Sequence, residues 1–407
     1  MKAITVIRRC TSYGALPLVA ALASAPAGAA APWEFNPSVE AGLMFDDNYK
    51  LTPAGTEIDV QGPVVDAALE MRTLTQTGEF SFTPRVRATY FPDETDLDGV
   101  DYFGTLDWQH RGQRVHTNIR ADYSQQDIVN SEQPDAGTGG GDLGEPDIGD
   151  SGITFVDNRR RRATLRPSVN FDVSQRNELQ FGVGYTDVSF ERQVVNAQEN
   201  FSVTDLVAGL SSRVNETSSL ITRLRGARYD IESQEVTSGY GAELEWNRRT
   251  VADTRSYLRA GAQNVELQNG KTETAWIAGA GVEFLAGRNE LFADLSRNVG
   301  ASSAGTVITR NQLRVRWTYA LTPRLSLLAG LRGTYDEDVD PVATFQPRRY
   351  ATGDVGLQWF WQEEFSLRAA YDYTRQEFRN SGNDATSSGA MITVLYQPQQ
   401  RRSARND

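Results

Sequence analysis

The sequence predicts an antiparallel up-and-down β-barrel of about 18 strands that crosses a membrane. Three observations predict it. From about residue 38 onward, runs of roughly ten residues alternate apolar and polar side chains. The links between runs alternate short and long, and aromatic residues gather at both ends of the runs.

The chain opens with a segment of another kind. Residues 1–31 read as a secretory signal: Lys2, Arg8 and Arg9 supply a basic start, Leu16 to Ala25 an apolar run, and Ala27-Gly28-Ala29 a cleavage site, with the cut expected after Ala29. The single cysteine, Cys10, lies ahead of the apolar run and leaves with the signal. A disulfide scaffold, a cysteine nucleophile and a thiolate metal site are thereby excluded from the mature chain.

Mean hydropathy is −0.48, and no later apolar stretch reaches the roughly 18 residues that a spanning helix needs. The formal charge of −12 becomes more negative once the signal is removed, which argues against a nucleic-acid partner.

The runs that follow are strands, because their period is two. In Pro63–Arg72, Val65, Ala67, Leu69 and Met71 share one face, and Asp66, Glu70 and Arg72 the other. In Leu313–Tyr319, Leu313, Val315, Trp317 and Tyr319 alternate with Arg314, Arg316 and Thr318. No stretch has the three-and-four spacing of a helix. The alternation slips over Leu220–Tyr229, where a bulge would be unremarkable.

Tight links fall at Thr75–Gly78, His110–Gln113, Ser174–Asn177, Asn215–Ser218, Asn247–Asp253, Ala286–Asn289, Leu321–Arg324 and Gln362–Glu364. Long polar links lie between them, among them Asp46–Gln61, Pro92–Val100, Gln126–Asn158 and Asp336–Pro347. Short turns belong on the periplasmic side and long loops outside, so the links also orient the barrel. Its expected extent is 32–398, followed by a polar periplasmic tail at 399–407.

Aromatics supply an independent test, since a barrel in lipid carries rings at both headgroup levels. Trp108, Phe171, Trp246, Trp317, Trp359 and Trp361 adjoin the short turns, whereas Tyr90, Tyr102, Tyr123, Tyr185, Tyr229, Tyr240, Trp276 and Tyr371 lie toward the long loops. A soluble sandwich or propeller accounts for the alternation but for neither the two bands nor the asymmetric links.

The same alternation turns a row of arginines inward: Arg72, Arg85, Arg87, Arg120, Arg166, Arg314, Arg316, Arg332 and Arg368, with Arg223, Arg225 and Arg259. Acids share that face, among them Asp66, Glu70, Asp294, Asp354 and Asp372. Two readings stand: the arginines attract anionic groups or stack on sugar rings along a conduit, or charges of both signs pair across strands and build a wet, stable wall.

The run Arg159-Arg160-Arg161-Arg162 stands where the longest loop re-enters the sheet. It either binds acidic polysaccharide or lipopolysaccharide phosphates or balances the acids of that loop. The loop, Gln126–Asn158, is a candidate constriction through Asp135, Asp142, Asp147 and Asp150, made pliant by Gly137–Gly141. Its glycine-aspartate run occurs once, and calcium sites of that type need stacked copies, so no metal or other cofactor is expected.

Enzyme chemistry finds no support. The two histidines, His110 and His116, flank one short turn, and no H-E-x-x-H, G-x-S-x-G or P-loop pattern occurs.

Two stretches carry a family likeness. Val39-Glu40-Ala41-Gly42-Leu43-Met44-Phe45-Asp46-Asp47-Asn48 resembles the opening of the outer-membrane beta-barrel porins of the second type. Asn158–Phe190, with its arginine run, Pro167-Ser168 and Gly184-Tyr185-Thr186-Asp187-Val188-Ser189, is similar to their middle. The resemblance implies an outer-membrane conduit or accessory in exopolysaccharide export and supplies no catalytic residues.

The leading expectation is therefore an outer-membrane channel with a polysaccharide substrate. The alternatives are a plugged structural or interaction barrel and a diffusion porin for small solutes. Expected partners are outer-membrane lipid, lipopolysaccharide and the barrel assembly machinery.

Overall fold

The computed structural model describes residues 33–133, 153–154, 157–192, 198–232, 235–250, 254–267, 270–340, 347–378 and 384–398. The signal and tail assignments, and constriction candidates Asp135, Asp142, Asp147 and Asp150, lie outside them.

Eighteen strands form one antiparallel sheet. They are β1 Trp33–Asp46, β2 Val60–Leu74, β3 Gly78–Thr89, β4 Gly99–Arg111, β5 Val115–Asp127, β6 Arg159–Asp172, β7 Asn177–Phe190, β8 Phe201–Arg213 and β9 Ser218–Ile231. Then come β10 Thr237–Arg249, β11 Arg255–Glu266, β12 Thr272–Ala286, β13 Asn289–Ser302, β14 Thr306–Thr322, β15 Leu325–Asp338, β16 Arg348–Phe360, β17 Phe365–Phe378 and β18 Ala385–Tyr396. Each pairs with its sequence neighbours, and β1 also pairs with β18, which closes the barrel.

Among the described residues, the short turns fall where the sequence puts them. At Ala286–Asn289, Gly287 takes a positive φ of 58°, a conformation that costs glycine little. Outside, one connection is unexpectedly short: Ser302 and Thr306 bound the β13–β14 hairpin. There Gly305 has φ +82°, and a Cβ on it would stand 2.7 Å from the Glu199 carboxyl carbon.

The outer wall is that of an outer-membrane β-barrel. Leu206, Leu224, Leu258, Leu295 and Ile392 all keep more than half of their surface exposed on the outward parity. Apolar area of that extent, repeated on strands all round a closed barrel, is stable only against lipid. Near the short turns the outward rings form contacts such as Trp33 on Phe80, at 5.8 Å, and Trp361 on Phe365, at 5.7 Å. An aqueous lumen is expected at this strand number.

Three readings need adjustment. No bulge interrupts β9, whose register with β8 and β10 is continuous. The slip lies in residue type: Ile221 and Tyr229 point inward while Thr222 and Gly226 face out. The register shift falls instead between Ala320 and Thr322, on β14. Tyr229 is buried inside and leaves the outer aromatic band. Helical turns also occur, at Thr95–Leu97 and in α1, Ile128–Glu132, both too short to display a helical period.

Candidate functional site

All nine candidate arginines fall on the inward parity of their strands. Several are already engaged. Arg72 meets Glu79 at 2.6 Å and Arg85 meets Asp66 at 2.6 Å, while Arg120 reaches Asp122 at 3.3 Å and Arg314 reaches Asp294 at 3.2 Å. Arg85 also stacks over Phe103, and Arg316 over Phe292, at 4.8 and 4.6 Å.

The register puts Arg120 opposite Arg166 and Arg314 opposite Arg332. Like charges so placed repel unless acids intervene, which gives Asp122 and Asp294 a structural task. Arg87 and Arg368 stand apart from these pairs and line a recess with Tyr49, Asp354 and Asp372.

Lower in the lumen, a cavity of about 500 Å³ is lined by Arg120, Arg166, Arg223, Arg225, Arg259 and Arg310, with Asp205, Glu245, Tyr229 and Gln263. Arg223 bridges Glu243 and Glu245 at 3.0 and 2.7 Å, and Arg310 meets Asp336 at 2.6 Å. The Tyr229 hydroxyl accepts from Gln263 at 2.8 Å. The inner wall thus presents guanidinium groups held at fixed positions by carboxylates and amides, rather than a field of one sign.

The outer mouth has a different chemistry. At the outer ends of the strands, inward positions turn apolar: Val188 and Phe190 on β7, Phe201 and Val203 on β8, Tyr229 and Ile231 on β9, Val265 on β11. They form a cluster with Tyr49 and Phe91 from two outer loops, Ile128 and Val129 from α1, and Ala301 and Val307 from the β13–β14 hairpin. Across the lumen, β13 touches β8 and β9, so this hairpin leans inward.

Why α1 forms here is readable locally. Asp127 caps it by accepting from the Val129 amide at 2.8 Å, and the next two residues are apolar. Its last residue, Glu132, is fully buried. The Glu132 carboxylate lies 3.6 Å from Arg160 on β6 and accepts from the Ser303 hydroxyl at 3.4 Å, while its carbonyl accepts from Arg348 on β16 at 2.9 Å. Arg348, itself buried, donates also to Gln376 at 2.9 Å.

The first outer loop joins the same assembly. Tyr49 donates to Asn130 at 3.3 Å and its carbonyl accepts from Gln133 at 3.1 Å. Burial, reinforced by nearby Asp127, pushes the Tyr49 phenol well above its ordinary value, so it remains a donor.

The arginine run of β6 splits by parity. Arg160 turns inward to Glu132, whereas Arg159 reaches Asp101 at 3.3 Å and Arg161 reaches Glu191 at 3.2 Å on the rim. One patch of four like charges does not form. Glu132, Ser303, Arg348, Arg310 and Tyr49 are absent from the sequence-derived candidates. Their one signal is the reversal of apolar parity at the strand tops, seen in Tyr185 facing out and Val188 and Phe190 facing in.

Solved structures similar to this barrel include two proteins of Pseudomonas aeruginosa. OccK2 (OpdF), determined in complex with glucuronate, is 12% identical with a TM-score of 0.45, over 90% of this chain and 99% of that one. OpdQ is 9% identical with a TM-score of 0.46, over 90% and 98%. The FrpB iron transporter from Neisseria meningitidis is 8% identical with a TM-score of 0.38, over 89% and 81%. No substrate carries over at such distances.

No protein-family model and no curated protein matches the chain. The likeness to exopolysaccharide-locus porins therefore rests on the two sequence stretches alone.

Proposed function

We propose that this protein is a porin-like channel of the outer membrane whose outer mouth is closed at rest by α1, the first outer loop and the β13–β14 hairpin. The observation that carries the reading is the meeting of three separate parts of the chain at one buried residue, Glu132, beneath an apolar seal. The lumen below is polar and charged, as a solute path requires and a packed core does not.

Conductance of the full refolded chain in planar bilayers tests this. The parent is expected to be mostly shut, and Ile128→Asp to conduct steadily, because a carboxylate inside the seal cannot stay dry. Burial of one such isoleucine is worth ~2 kcal/mol, so its loss alone favours opening by more than tenfold. Silence from both would favour the structural barrel. A parent that conducts as well as the variant would favour an open diffusion porin, which liposome swelling with sugars of increasing size would then calibrate.

The finer reading, exopolysaccharide export, draws support from the family resemblance and from the guanidinium and tyrosine groups of the lumen. It predicts that a deletion strain loses surface polysaccharide, and normal export in that strain would reject it.

A further inference from the structure

On the outward wall, the β13–β17 sector carries charges that neither the lumen nor the seal uses. The register draws one row across five strands. Arg297 on β13 stands opposite Asn311 on β14, which stands opposite Tyr335 on β15; Tyr335 faces Arg349 on β16, which faces Glu377 on β17. Arg375 sits one outward position below Glu377.

This row marks the top of the apolar belt. The outward positions beneath it include Leu295, Leu331, Val355, Tyr371 and Tyr373, all well exposed. Charges at that height lie at the headgroup level of the outer leaflet.

The guanidinium groups are held open to the side. Arg297 lies over the Trp276 ring at 4.2 Å and Arg349 over Tyr335 at 5.4 Å. Two glutamates take part, Glu337 at 3.4 Å from Arg297 and Glu377 bonded to Arg375. Arg349 has no carboxylate partner among the described residues, and the group of three arginines and two glutamates keeps a net positive charge. An arginine carries five donors, so one acid leaves others for a ligand.

We propose that this row binds the phosphates of an anionic lipid headgroup in the outer leaflet. Neighbouring strands are roughly 4.8 Å apart, which separates Arg297 from Arg349 by about 14 Å along the wall. A disaccharide-sized headgroup with a phosphate at each end reaches both.

Below the row, Gly333 stands opposite Ala351, and Leu331 opposite Gly353. A Cβ on Gly333 would meet only the Tyr350 carbonyl oxygen at 3.8 Å, and one on Gly353 would meet nothing nearer than 3.6 Å. Packing does not demand glycine at either place. Their effect is a shallow trough under the arginines, in which an acyl chain can lie.

The test is native mass spectrometry of the full chain in detergent, titrated with bis-phosphorylated lipid A and, in parallel, with its dephosphorylated form. The phosphorylated lipid is expected to bind at least tenfold more tightly. Arg349→Gln should weaken it about fivefold, and Arg297→Gln with Arg349→Gln by more than tenfold. Gly333→Leu should weaken both lipids by filling the trough, and heat-modified gel mobility should show every variant folded. Arg228→Gln, on outward β9, should change nothing. Equal binding of the two lipids, or arginine variants that bind as the parent does, would overturn the proposal.

Discussion

At the residue scale, Glu132 differs in kind from the lumen arginines. The arginines pair mostly with acids on their own or an adjacent strand, as Arg85 does with Asp66, and so stiffen the wall locally. The Glu132 carboxylate joins β6 to the β13–β14 hairpin, and its carbonyl adds β16; these are not neighbours in the barrel, and only the first two links depend on the charge. A hydrogen bond to a charged group is worth ~1.5–3 kcal/mol. Glu132→Gln should therefore raise the open fraction about tenfold, read as single-channel open probability, while leaving thermal stability of the barrel nearly unchanged. An unaltered open probability would remove Glu132 as the latch. The contrast also explains what the sequence could reveal. The inward arginines follow from period two, a property of their own strands, whereas Glu132 gains its role from partners far along the chain.

At the scale of elements, strands and periplasmic turns were legible because each is a local event. Ser174–Asn177 and Ala286–Asn289 need only a few residues with turn chemistry, and the alternation on either side sets the pairing. The seal was not legible, since it depends on strand tops such as Val188–Phe190 reversing parity above the lipid. Tyr229 departs from expectation for the same reason: a tyrosine near an outer strand end has the sequence context of a headgroup anchor, yet this one faces the lumen. The β13–β14 hairpin offers the most direct test at this scale. Gly305→Val would force a β-branched residue into φ +82° and press its Cβ against Glu199, at a cost of ~1–3 kcal/mol. The hairpin should withdraw from β8 and β9, and cysteine labelling inside the outer mouth should quicken several-fold. Unchanged labelling would show that the hairpin does not seal.

At the scale of the whole molecule, strand number, direction and inward face all followed from repetition, because a closed sheet applies one rule eighteen times. The closure itself is uneven. β1 pairs with β2 over fourteen positions, Trp33 to Asp46, but with β18 over only eight, from Val39 to Asp46. Extending that register by two positions would bring Pro37 opposite Pro398, and proline has no N–H to give a ladder. Hydrogen exchange should accordingly be fastest among the spanning strands at Phe35–Ser38, and protection there equal to that of β10 would contradict the account. A wall joined everywhere by full ladders would have to fail everywhere at once. This one has a seam that is stitched for its outer half and open below, so heat, pulling force or a competing strand has a defined place at which to start unzipping it.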